Sequence, residues 1–208
     1  MTTRSLVLLL LLFGAFAASA QTGRRVWTEA ERDYLLRGLD STRNVLLGEV
    51  AGLTPAQLHF KPDSAQWSVA EVLEHLGVWE EILLWDLFSH ENSPERRDLL
   101  HLNKGKDSAT LAYATDPSKG TSPLIALPLG RFHTAGELTG FFNRFRNEVI
   151  RSVRESRADY RLHYIYRPKE WGEGAQRDMH QYTLLFIAHT TRHTNQVQRV
   201  KAHPAFPK

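Results

Sequence analysis

Four stretches of this chain repeat apolar residues at steps of three, four or seven, and no stretch alternates convincingly at the two-residue step of a strand. In residues 28–53, Leu35, Leu39, Leu46 and Leu53 fall on one helical face with charges between them. The second stretch has the firmest start. In "WSVAEV", Ser68 can cap a helix, Glu71 can reach back to complete a capping box, and Trp67 and Val72 stand where a hydrophobic staple clamps the incoming chain. It continues as "EVLEHLGVWEEILLWDLF" to about residue 89, with Val72, Leu76, Trp79, Leu83 and Leu87 as its apolar contacts. Residues 135–156 carry the stripe Leu138, Phe141, Phe142, Phe145, Val149 and Val153, and residues 178–202 form the last helix, closed by Pro204. These stretches predict an all-α fold, a four-helix bundle with a long insertion between helices 2 and 3.

The insertion, residues 91–133, mixes Pro, Gly, Ser, Lys and Asp with only short apolar pieces. Connections this long are uncommon in a compact domain and are usually functional or mobile, and this one is expected to cross one end of the bundle. A second irregular stretch, "ADYRLHYIYRPKEWGEGAQ", precedes the last helix.

A length of 208 residues, 42% hydrophobic and 24% charged, fits one ordinary soluble domain. The opening "MTTRSLVLLLLLFGAFAASAQ" differs from the rest: Arg4 precedes an apolar run at 6–16, and small residues end at Ala18-Ser19-Ala20. That is the three-part pattern of a secretory signal peptide, here residues 1–20, leaving 21–208 as the domain. The run is shorter than the roughly 20 residues of a membrane-spanning helix, although an uncleaved anchor is the alternative. The expectation is export to the periplasm or beyond, without stable membrane insertion after cleavage. Removing Arg4 lowers the formal charge from +3 to +2, too mild an excess to indicate nucleic acid as a partner. Cysteine is absent, which excludes thiol catalysis, zinc–thiolate sites and iron–sulfur clusters and leaves nitrogen and oxygen ligands for any metal.

In "IAHTTRHTNQ", His189 and His193 lie four apart on the expected inward face of the last helix, with Tyr182, Leu185, Phe186 and Val200. Buried imidazoles need partners: the two rings could share a metal, or each could be satisfied within the core. A metal would need a third ligand from elsewhere, and the best candidate is His75, flanked one turn either way by Glu71 and Trp79. Glu71 suits the cap better than an imidazole. His59, His90, His101, His133, His163, His180 and His203 fall in loops, at helix ends or on opposite faces, where surface or supporting roles are expected. Arg192 and Gln196 are each either ordinary helix-surface residues or supports of the histidine pair.

"WSVAEVLEHL", followed after an insertion and a helix by "LLFIAHTTRHTNQVQRVKAHPAFP", resembles the DinB-like (YfiT-like) family of four-helix metalloenzymes over residues 28–207. The resemblance implies a metal site of three histidines, one from the second helix and two from the last, matching His75, His189 and His193. It also implies a metal-dependent hydrolase or transferase acting on an unknown small molecule, in some relatives through a thiol cosubstrate, and homodimers of the kind such bundles form. Three neutral imidazoles suit a divalent ion such as Zn²⁺, Ni²⁺ or Fe²⁺ better than Mg²⁺ or Ca²⁺. A zinc-protease mechanism is disfavoured, because Thr190 stands where that motif places its glutamate. Glu80 and Asp86 on the second helix are candidate acids or bases with no argued role. The rival is a non-catalytic bundle that binds a metal or a partner.

Overall fold

The computed structural model describes residues 24–116, 121–167 and 176–208. The expected signal peptide lies outside these residues. Four long helices form the body: α1 (Glu29–Val50), α2 (Val69–His90), α3 (Ala135–Glu155) and α4 (Met179–Lys201). Their starts are written locally. Thr28 with Glu31, Ser68 with Glu71, and Thr134 with Glu137 form reciprocal capping boxes, and Asp178 accepts the Gln181 amide at 2.7 Å. The first helix stops at Val50 rather than at 53, because Gly52 turns the chain with φ +75°, a conformation open to glycine.

The pairing of positions gives the direction of each helix. Gly77 faces Phe141 and Glu80 faces Arg146, so α2 and α3 run parallel. Trp27 meets His180, Gly38 meets Ile187 and Glu49 meets Lys201, so α1 and α4 also run parallel. His75 opposes His189 while Asp86 opposes Tyr182, which makes α2 and α4 antiparallel. The order is up-down-down-up, one of the long-crossover arrangements of four-helix bundles.

This topology explains the insertion. A 22-residue helix is about 33 Å long, and α3 begins beside the start of α2, so the connection must travel back along the bundle. It does so along the flank between α2 and α4 rather than across one end, which corrects the expectation from sequence. Short helical turns at Arg97–Leu99, Leu100–Asn103, Asp107–Ala112, Tyr113–Thr115 and Leu124–Ala126 mark its path. Gln181 holds it through the Asn103 carbonyl and the Asp107 carboxylate, Tyr113 lies on His189, and the Gly130 amide donates to Glu74. Between α3 and α4 a two-residue antiparallel pair, β1 (Tyr164–Ile165) with β2 (Arg177–Asp178), closes the other end.

The apolar stripes meet in two clusters. One contains Leu35, Leu39, Leu83, Leu87, Val149, Val153 and Phe186; the other contains Leu46, Leu76, Leu138, Phe142, Val197 and Val200. Burying each of these side chains contributes roughly 1.5–3 kcal/mol against the chain entropy of folding. Along each helix the clusters are separated by a polar position: Thr42 on α1, Glu80 on α2, Arg146 on α3 and Thr190 on α4. Among the described residues no helix is long and apolar enough to cross a membrane.

Candidate metal centre

His75, His189 and His193 come together on the side of that polar layer that holds the second cluster. Each offers a ring nitrogen, and the three atoms lie within 4.8 Å of one another. The Nε2 atoms of His75 and His193 sit 3.3 and 3.0 Å from Nε2 of His189. A tetrahedral ion with Zn–N bonds of about 2.0–2.1 Å would place its ligand nitrogens roughly 3.3 Å apart, so these two separations are of coordination size.

The outward nitrogens select the tautomers. Nδ1 of His75 donates to the Ala126 carbonyl at 2.7 Å, and Nδ1 of His193 donates to Oε1 of Gln196 at 2.8 Å. Both rings therefore turn a bare Nε2 lone pair toward His189. A single proton on His189 can satisfy only one of them, which leaves a lone pair that a cation could take.

Burial keeps the three rings uncharged. It pushes His75 down to about 4, against the opposing pull of the Ala126 hydrogen bond. His193 is pushed down to about 3 by burial and by the His75 ring, and His189 lies well below the ordinary range through burial and its histidine neighbours. All three imidazoles are consequently neutral at pH 7, the state that binds a metal without first releasing a proton.

Aromatic rings wall the centre. Trp67 packs on His75 and His193 at 4.8 and 6.4 Å, and Trp79 meets His189 edge-on at 5.8 Å. Tyr113 lies nearly parallel to His189 at 6.2 Å, and the Arg192 guanidinium stands 5.1 Å from the Tyr113 ring while donating to the Asp116 carbonyl. His75 and His193 are buried and His189 is nearly so, so the three rings form an enclosed centre.

Glu71 is a cap, accepting the Ser68 amide at 2.7 Å and pairing with Lys61. Gln196 supports His193 directly. Thr190 donates to the Phe186 carbonyl and accepts from Arg146. Glu80 and Asp86 are both engaged, the first by Arg146 and the second by Arg167 and Tyr182.

Two of the other histidines depart from expectation. His163 and His180 are 5% and 2% exposed and sit in the interior. His180 accepts the Trp27 indole N–H at 3.0 Å and lies 3.7 Å from Asp107, because α4 is wrapped at its start by α1 and the insertion as well as by α2. Helical phase relative to His189 therefore does not make it a surface residue. Leu185 is only partly buried, whereas Leu184 and Ile187 are core residues.

Ala126 and Tyr113 were invisible to sequence reasoning as parts of the site, since one acts through its backbone and the other arrives on the insertion. Arg146 left a signal: it stands four residues after Phe142 and three before Val149, on the inward face of α3.

An all-helical bundle with three inward histidines on two antiparallel helices defines a class of helical proteins able to hold a metal ion. A family model described as the DinB superfamily matches residues 38–197, and the chain belongs to that superfamily. Neither the curated proteins nor the solved structures contain a match to it.

Proposed function

We propose that His75, His189 and His193 bind a divalent ion of the Zn²⁺, Ni²⁺ or Fe²⁺ group and that the protein is an exported metal-dependent hydrolase or transferase for a small molecule. The observation that carries the metal reading is the convergence of two lone-pair-bearing Nε2 atoms, fixed by Ala126 and Gln196, on the third imidazole. When bound, such an ion supplies Lewis-acid activation of an oxygen or sulfur group at its open positions. The chain's own residues hold the three imidazoles neutral, fix the tautomers of His75 and His193 and wall the centre with Trp67, Trp79 and Tyr113. Arg192, beside Tyr113 at the His189 side, offers a positive charge to an anionic group of an incoming reactant. Export rests on the first 20 residues alone, and amino-terminal sequencing of the protein recovered from the periplasm or medium tests it.

Metal analysis of the purified protein beside the triple His75→Ala, His189→Ala, His193→Ala variant tests the centre. Near-stoichiometric metal in the wild type and none in the variant is the expected result; equal, near-zero occupancy in both overturns the reading.

One observation favours a second reading, a non-catalytic metal-stabilised bundle. Four of the five acids on α2 are already engaged: Glu71 serves the cap, Glu74 binds Arg131, Glu80 binds Arg146 and Asp86 binds Arg167 and Tyr182. None of these four is placed to accept a proton from a reactant. A panel of hydrolase and thiol-transfer substrates that shows no metal-dependent turnover, together with a melting temperature that falls on metal removal, selects this reading.

A further inference from the structure

Arg146 lies wholly inside the bundle, with 0% exposure, and a guanidinium there needs all five of its N–H groups satisfied. It has five acceptors. Nε donates to Oε2 of Glu80 at 2.7 Å; Nη2 donates to Oε1 of Glu80 at 2.5 Å and to Oγ1 of Thr190 at 2.7 Å. Nη1 donates to the Leu39 carbonyl at 2.8 Å and to Oγ1 of Thr42 at 3.0 Å. One side chain on α3 thus ties α1, α2 and α4 together between the two apolar clusters.

Stability alone is a poor account of such a group. A buried ion pair loses about as much in desolvation as it gains in attraction, and apolar replacements are often neutral or stabilising. What the pair does supply is register, because a bidentate Arg–carboxylate contact tolerates little sliding. Its anchor points adjoin the histidines: Thr190 follows His189 in the chain, and Glu80 lies five residues after His75. The Thr190 hydroxyl has one proton, given to the Phe186 carbonyl, and its lone pair receives Arg146, so its rotamer is set from both sides.

We infer that Arg146 is a positioning residue for the histidine centre, acting through Glu80 and Thr190 to fix the register of α2 against α4 and so the convergence of His75 with His189 and His193. This rests on the reading of those histidines as metal ligands. It also gives Thr190 a task that a glutamate at that place, with its longer charged side chain, would displace.

The test compares Thr190→Val, which keeps the shape and removes the hydroxyl, with Thr190→Ser, which keeps the hydroxyl and removes the methyl. The double variant Glu80→Leu with Arg146→Met is added. Cobalt(II) titration with visible absorption reads affinity and ligand geometry, and ¹⁵N resonances of the three imidazoles in metal-free protein read ring placement without any metal. The expected result is a 10–100-fold weaker cobalt affinity for Thr190→Val and the double variant, with shifted His75 and His189 ring resonances, and near-wild-type values for Thr190→Ser. A role of Thr190 in packing alone predicts the reverse order for its two variants, a hydrogen bond that only stabilises the fold predicts lower stability with unchanged affinity, and unchanged affinity with unshifted rings in Thr190→Val overturns the inference. If the double variant fails to fold, Thr190→Val decides. If wild-type protein binds no cobalt the metal reading fails, while the ring resonances still decide whether Arg146 positions the histidines.

Discussion

The carbonyl of Ala126 stands 2.7 Å from Nδ1 of His75, a contact between residues 51 apart in the chain. Through it the crossover fixes the tautomer of a histidine on the second helix. Ala126 itself is 0% exposed, so its side chain has no room to grow. Ala126→Leu is expected to push the carbonyl off His75, lowering stability by about 1–3 kcal/mol and cobalt affinity by roughly 10–100-fold. Urea unfolding and a cobalt titration check the two effects, and an unchanged affinity would show that the carbonyl does not set the ring.

Gly77 makes the close approach of α2 to α3. A Cβ there would come within 2.4 Å of the Phe141 ring, whereas one at Gly38 would crowd the terminal Cδ1 of Ile187 at 2.6 Å and meet the rest of that side chain at 3.4 Å. Alanine gains about 1 kcal/mol of helix propensity over glycine at either place. Gly38→Ala is therefore expected to be neutral or mildly stabilising. Gly77→Ala is expected to be net destabilising by about 1–2 kcal/mol, since a packed ring must move. Thermal melts of both proteins decide the matter; equal shifts would mean that the α2–α3 contact is loose.

The pH dependence of the metal-free protein has a predictable sign at His180. Burial, aided by Arg161, pushes this imidazole down to about 4, and Asp107 and Glu31 oppose the shift. In the unfolded chain it titrates near the ordinary 6.5. Between those values only the unfolded state takes up the proton, so the stabilisation present above pH 6.5 is lost as pH falls toward 4, on the order of 3 kcal/mol in all. His180→Gln can keep an acceptor for the Trp27 N–H without titrating. It is expected to be less stable at pH 7 by about 1 kcal/mol and to close that gap below pH 5. Parallel stability curves from pH 7 to 4.5 would contradict this.

Metal binding, on the proposed reading, stabilises the folded state by mass action. A free ion at one hundred times its dissociation constant adds about 2.7 kcal/mol, which for a domain of this size is a rise of roughly 5–10 °C in melting temperature. A chelator should remove that rise from the wild type and have no effect on the triple His→Ala variant. Calorimetric scans with and without the ion measure it, and identical melting temperatures in wild-type protein would count against occupancy.

The long helices were readable because their signals are local. "WSVAEV" carries its cap, its box partner and its staple within six residues, and the stripes of α2 and α3 correspond to faces that do become buried. The same helical phase that turned His189 and His193 inward misjudged His180. It assumes one buried face, and the start of α4 is covered on several sides. The route of residues 91–133 was not readable because helix directions are set by tertiary pairing, such as Glu80 with Arg146, that no local pattern announces. Backbone groups like the Ala126 carbonyl leave no mark in a sequence at all.

The parallel arrangement of α2 and α3 has a bearing on biosynthesis. His75 and His189 are separated by 114 residues, and everything that aligns them, the crossover, Arg146 and the last helix, emerges after α2. Chains grow at about 5–20 residues per second, so a finished second helix waits several seconds for its partners. During that wait its histidine is a lone imidazole with no affinity to speak of. On the proposed metal reading the three ligands first stand together in the completed bundle, so loading would follow folding and the ion acquired would be the one available where folding finishes.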